Sequence, residues 1–129
     1  NKKELNNFLI LIKKKLNNKG KILIFSIKRE KNELPTFKIM KKKLNISFLK
    51  DKYFNKIIKE NLINCKKSTF RFKVSVKKKI YINMIRKKFI SCLLSLSKKE
   101  IEFGVAEIKS KYKKNIKFSD DLDCLIYQN

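Results

Sequence analysis

Residues 66–84 read KKSTFRFKVSVKKKIYINM, and the architecture expected for the whole chain turns on how this stretch folds. Phe70, Phe72, Val74 and Val76 alternate without a break against Arg71, Lys73, Ser75 and Lys77. Strict alternation over this length is the pattern of a strand with one buried face. Lys77, Lys78 and Lys79 then supply a polar turn, and Ile80, Ile82 and Met84 alternate again. The pair reads as a β-hairpin. Its inner face would carry Phe70, Phe72, Val74, Val76, Ile80, Ile82 and Met84. Its outer face would carry Arg71, Lys73, Ser75 and Lys77, with Tyr81 and Asn83 on the partner strand.

Upstream, Phe37 to Phe48 also alternates but slips phase once. Phe37 and Ile39 share one phase; Met40, Leu44, Ile46 and Phe48 share the other. A bulge near Met40 reconciles them, and Lys41, Lys43, Asn45 and Ser47 would then extend the outer face. Asp51 stands where it could cap a helix carrying Phe54, Ile57, Ile58 and Leu62. Further back, Leu5, Phe8, Leu9, Ile12 and Leu16 recur at helical spacing, with Gly20 placed to end that helix. Ile22 to Ile27 is a short apolar run expected to be a strand, and Arg29 to Pro35 reads as a loop.

Downstream, Phe89, Cys92, Leu93 and Leu96 return to helical spacing. Ile101, Phe103 and Val105 alternate as a strand, with Gly104 at a possible bulge. Leu122 to Tyr127 is a last strand. The expected fold class is α+β: an antiparallel β-sheet with helices packed on one face, in the order α-β-β-α-β-β-α-β-β. No internal repeat or composition break divides the chain, so residues 1–129 are expected to form a single α+β domain.

Charge bounds the function. The 129 residues hold 35 Lys and Arg against 11 Asp and Glu, a net +24. A small domain with that much like charge repels itself and calls for a polyanionic partner. Lysine is favoured over arginine, and Asn, Ile and Phe are abundant. That palette follows A- and T-rich codons and points to a mitochondrial genome, or to another AT-rich organelle such as a plastid. Codon bias inflates lysine without explaining why acidic residues are scarce. Cys65, Cys92 and Cys124 lie far apart with no C-x-x-C and no histidine, so they are expected to be reduced and to act as small apolar side chains. The longest apolar run, Phe8 to Ile12, is too short to span a membrane.

A strand face lined by cations is a nucleic-acid platform. Lysine neutralises phosphate, Ser and Asn hydrogen-bond phosphate or ribose, and tyrosine stacks on a base. The candidate RNA-binding residues are therefore Lys41, Lys43, Asn45, Lys66, Lys67, Ser68, Arg71, Lys73, Ser75, Lys77, Lys78, Lys79, Tyr81, Asn83 and Arg86. Lys13 to Lys15 and Lys109 to Lys114 are secondary clusters. Asp120, Asp121 and Asp123 invite an Mg²⁺ reading, but no histidine is available as a base and no glycine-rich phosphate loop is present. The expectation is a protein without catalytic residues, metal, cofactor or small-molecule substrate, and without a membrane partner.

Several segments in order resemble the family of large-subunit ribosomal protein five, which binds 5S rRNA in the central protuberance. They are LPTFKIMKKKLNISF (residues 34–48), KKSTFRFKV (66–74), IYINMIRKKFISCLLSL (80–96), EFGVAEI (102–108) and LDCLI (122–126). The departures are definite. The Gly-Gln before the Lys-Ser strand is missing, no glycine follows Arg86, and only Ser97 to Glu100 stand where the family has a long loop reaching the P-site tRNA. The resemblance implies a reduced, organelle-type member that contacts rRNA through its sheet, including Lys67, Ser68 and Lys73. Its partners would be large-subunit rRNA, with 5S rRNA among the candidates, and neighbouring ribosomal proteins. The competing expectations are another basic ribosomal protein, a DNA-compacting protein, or a fragment of an organellar nucleic-acid enzyme such as an intron endonuclease.

Overall fold

Phe37, Met40 and Leu44 are all buried, and that spacing is the helical period rather than a strand with a bulge. The computed structural model of the chain describes residues 1–28 and 32–128. In it, Phe37 leads into helix α2 (Lys38–Asn61). The phase slip at Met40 is thus the point where period two stops fitting and a period near 3.6 fits throughout. Asp51, expected as a cap, lies inside α2, and burial pushes its carboxyl above the usual carboxylate range.

The observed elements are α1 (Lys2–Lys15), β1 (Lys21–Ile27), α2, β2 (Lys66–Lys77), α3 (Lys78–Arg86), a 3₁₀ turn (Ser91–Leu93), α4 (Lys98–Lys111) and β3 (Asn115–Gln128). The class is α+β with an antiparallel sheet, as expected, but three expected strands are helical. These are residues 37–48, all but Phe37 within α2, and 80–84 and 101–105, in α3 and α4. The helix expected across Phe89 to Leu96 is a turn instead. Of the expected loop at Arg29 to Pro35, Arg29 to Lys31 lie outside the described residues. Helix α1 ends at Lys15, before Gly20. A Cβ on Gly20 would fall within 2.7 Å of the Leu16 side chain, so the glycine serves the close turn back onto that residue.

The sheet order is β1-β3-β2. β1 pairs antiparallel with β3, from Lys21 opposite Gln128 to Ile27 opposite Leu122. The chain divides into two compact units, with α2, β2 and β3 contributing to both. One unit comprises Asn1–Lys31, Leu49–Phe70 and Asp121–Asn129. Here Leu9, Ile22, Ile58, Leu62 and Leu125 form the core, flanked by Leu5, Ile12, Ile24 and Tyr127. Helices therefore cover the Ile22 and Ile24 side of β1. At the start of α1 the Asn1 side chain accepts from the Glu4 backbone N–H at 3.0 Å, satisfying a donor that the first turn leaves without a partner, and the Glu4 carboxylate reaches back to the Asn1 side-chain amide at 2.9 Å. Lys13 Nζ sits 5.4 Å from the Tyr127 ring centroid.

The other unit comprises Asn32–Phe48 and Arg71–Asp120. Its core includes Phe37, Met40, Leu44, Tyr81, Ile82, Ile85, Leu93, Ile101, Val105, Ile108 and Ile116, with Val76 and Phe118 against it. Each such large apolar side chain contributes about 1.5–3 kcal/mol through burial. Helix α4 begins with a capping box, Ser97 and Glu100. Hydrogen bonds from Ser97 hold the Glu100 carboxyl below its ordinary range. Ile101, Val105 and Ile108 then point inward, which is the spacing of a helix face and not of a strand. Gly104 lies where a Cβ would come within 2.5 Å of the Phe37 ring. It is a close-approach glycine on α4, where a bulge was expected.

The expected hairpin fails at Lys77. β2 runs directly into α3, whose inward side is Tyr81, Ile82 and Ile85, while Ile80 is exposed. α3 closes with Lys88 at φ 52, and Phe89 N–H donates to the Met84 carbonyl at 3.1 Å. Lys88 Nζ donates to the Leu94 and Leu96 carbonyls at 3.1 and 2.7 Å, and so ties down the turn that replaces the expected helix. Tyr81, expected on an RNA-facing strand, is only 1% exposed. Its hydroxyl donates to the Pro35 carbonyl at 2.6 Å, and burial pushes its pKa well above the usual phenol value. Tyr81→Phe will therefore cost about 1–2 kcal/mol of stability by leaving that buried carbonyl unpaired. Thermal melting measures this, and an unchanged midpoint would show that the bond contributes nothing.

Candidate nucleic-acid interface

Once α3 turns Tyr81, Ile82 and Ile85 inward, residues spaced along its opposite side must face out. Lys79, Asn83 and Arg86 fall at i, i+4 and i+7, so they form one row, and all three are exposed. This row borders a cleft of about 730 Å³ lined by Lys78, Lys79, Ile80, Ile82, Asn83, Arg86 and Lys109. Cations and an amide therefore meet two isoleucines in one depression.

The cations are held differently. Lys78 is half-buried. Its Nζ donates to the Tyr112 carbonyl at 2.9 Å and lies 3.5 Å from the Lys109 carbonyl. It thereby caps the last turn of α4, where a positive charge is favourable. Arg86 makes a two-pronged pair with Glu102: Nε and Nη2 each donate at 2.8 Å to one carboxylate oxygen. Those bonds hold the Glu102 carboxyl below its ordinary range and raise the Arg86 pKa further. They also fix the plane of the guanidinium and leave part of its donor set for a ligand. Lys79 and Lys109 are exposed at the surface. The arrangement can neutralise phosphate oxygens at its rim and offer apolar contact within.

A second groove of about 440 Å³ is lined by Glu33, Lys73, Val74, Ser75, Lys117, Phe118 and Ser119. Here the expected alternation of β2 holds. Lys73, Ser75 and Lys77 are exposed while Val74 and Val76 are half-buried, and Arg71 is exposed as well. The groove is less purely basic than the sequence suggested, because the fold brings Glu33 to it. The Glu33 carboxylate accepts from the Ser119 backbone N–H at 2.8 Å.

The remaining candidates are scattered. Lys41, Lys43 and Asn45 lie on α2, not on a strand; Lys41 and Asn45 are exposed and Lys43 half-buried. Lys66, Lys67 and Ser68 open β2 in the other unit. Lys67 Nζ pairs with Asp123 at 2.8 Å, and Thr69 Oγ1 donates to the same carboxylate at 2.9 Å. Burial alone would push the Asp123 carboxyl up, but these two hydrogen bonds outweigh it and hold the pKa below its usual value. Phe70 and Phe72, expected inside, are 41% and 51% exposed. Perfect alternation marks one face as apolar, but it does not supply the helix that would cover it.

Lys109 and Lys117 were not singled out as individual binding residues, although both could have been found. Lys109 directly follows Ile108 on the helix that the Ser97–Glu100 capping box starts. Lys117 stands between inward Ile116 and Phe118 on the strand. Comparison with protein-family models and with curated proteins gave no match.

Proposed function

We propose that the chain is a non-catalytic RNA-binding protein of the mitochondrial ribosome, held on large-subunit rRNA through the α3–α4 cleft and the neighbouring basic strand surface. The observation that carries this reading is the convergence of Lys79, Asn83, Arg86 and Lys109 on one cleft, in a chain of net charge +24. A folded RNA supplies the polyanion that such a surface needs, and the apolar floor gives contacts beyond charge. Assignment to the central protuberance rests only on the order of the sequence segments that resemble large-subunit ribosomal protein five; the stretches at 38–48, 80–84 and 101–105, which that resemblance reads as strands, fall in α2, α3 and α4 here. The endonuclease alternative is the weaker one, since Asp123 is engaged by Lys67 and Thr69.

The test compares two charge reversals of equal size. Lys79→Glu with Lys109→Glu should weaken binding to a large-subunit rRNA fragment by about 10- to 100-fold and release the tagged protein from the large subunit in a mitochondrial sedimentation gradient. Lys2→Glu with Lys3→Glu, on exposed positions of α1, should have little effect. Equal losses from the two pairs would mean that net charge alone drives binding and that the cleft is not the site.

A further inference from the structure

In the unit built on α1, β1 and the end of β3, helices cover only one face of the strands. On the other, Leu23 is 52% and Phe25 53% exposed. Phe70 of β2 joins them: its ring centroid lies 5.9 Å from that of Phe25, the planes inclined at 53°. Cys124, the cross-strand partner of Phe25 on β3, is only 1% exposed, so the two rings form the outer surface there. Ile126 opposes Leu23 on the same face.

Among the described residues of β1 and β2, the charged side chains on this face are lysines. Alternation places Lys21 on the face of Leu23 and Phe25, and Lys66 on the face of Phe70; both lysines are exposed. Asp123 belongs to the opposite phase, facing Ser26 across the ladder and held by Lys67 and Thr69. The apolar strip is small. Strands spaced about 4.8 Å apart and rising about 3.3 Å per residue make the whole face from Lys21 to Ile27 only roughly 10 Å wide and 20 Å long, and the apolar part of it smaller still. That falls well short of the roughly 800 Å² per partner of a stable protein interface. It matches a few nucleotides of a single strand, whose bases stack on aromatic rings while lysines meet the phosphates.

We propose that this face is a stacking platform for unpaired nucleobases of RNA, with Phe25 and Phe70 as the stacking groups and Lys21 and Lys66 as phosphate contacts. The proposal rests on the RNA-binding reading above and adds a second site specific for single-stranded segments.

The experiment uses the full chain and two probes: a single-stranded RNA octamer carrying 2-aminopurine, and a folded large-subunit rRNA fragment without single-stranded ends. Wild-type protein should bind the octamer and change the 2-aminopurine fluorescence. Phe25→Leu and Phe70→Leu keep an apolar side chain at an exposed position and remove only the ring. Each should weaken octamer binding about 10-fold and leave the folded fragment bound as before. Octamer binding unaffected by both substitutions would overturn the platform, as would a wild-type protein that takes the folded fragment but not the octamer. Failure to bind either RNA would instead overturn the RNA-binding reading itself. Loss of self-association or of a protein partner in the leucine variants, with octamer binding intact, would make the face a protein interface and overturn the proposal.

Discussion

Between 50 and 200 mM salt, affinity for the rRNA fragment will fall by about 10³- to 10⁵-fold, the loss expected when about six to ten phosphates are neutralised. The cause is counterion release: each lysine that meets a phosphate frees a condensed cation, and added salt reduces the entropy gained. The chain has cations in excess, 35 against 11 acidic residues. The ion pairs described engage Lys67 with Asp123 and Arg86 with Glu102, and leave Lys73, Lys77, Lys79, Lys109 and Lys117 exposed around the cleft and groove. Filter binding across this salt range gives the slope directly. A flat log–log plot would mean that the lysines reflect codon bias and do not meet phosphate. The Lys79→Glu, Lys109→Glu variant should show a shallower slope than wild type, because two contacts are gone.

Gly104→Ala will destabilise the protein by about 1–3 kcal/mol, the usual cost of overpacking a filled core. In an open helix the same change would stabilise by about 1 kcal/mol through helix propensity, so the sign of the result is informative. The added Cβ would lie 2.5 to 2.6 Å from three atoms of the Phe37 ring. Phe37 cannot easily give way, since it is fully buried in a cluster with Met40, Tyr81 and Val105. Thermal unfolding should show a midpoint lower by several degrees. Phe37→Leu in the Gly104→Ala background should recover part of the loss, although Phe37→Leu alone is destabilising. An increase in stability for Gly104→Ala would show that α4 does not pack on Phe37 at this distance.

The elements legible in the sequence were those whose pattern fits one period only. Leu5, Leu9, Ile12 and Leu16 fit a helix and not a strand, and α1 forms there. Ile22 to Ile27 is a short apolar run, and β1 matches it. The β2 alternation admits no helical reading. The errors fell where two periods compete over few residues. Ile80, Ile82 and Met84 fit a strand, while Tyr81, Ile82 and Ile85 fit a helix. Ile101, Phe103 and Val105 fit a strand, while Ile101, Val105 and Ile108 fit a helix. In α4 the capping box at Ser97 and Glu100 was the local signal that resolves the tie. In α2 it was the phase slip itself.

The candidate site divides along the same line. Its charge and the outward cations of β2 were readable, because they need only composition and alternation. The cleft was not, because Lys109 is distant in sequence from Lys79 and reaches it only when α3 and α4 pack as helices. Tyr81 moved from surface to core for the same reason: on a helix it shares a side with Ile85, and on a strand it would have opposed Ile80 and Ile82. The sequence alone determined the net charge of +24, the α+β class and the strands whose alternation is unambiguous. Only the tertiary structure decided between helix and strand at 37–48, 80–84 and 101–105, and which apolar faces are covered. A short apolar pattern states that a face prefers burial, but which period is realised depends on the surface that arrives to bury it, here Phe37 seated against Gly104.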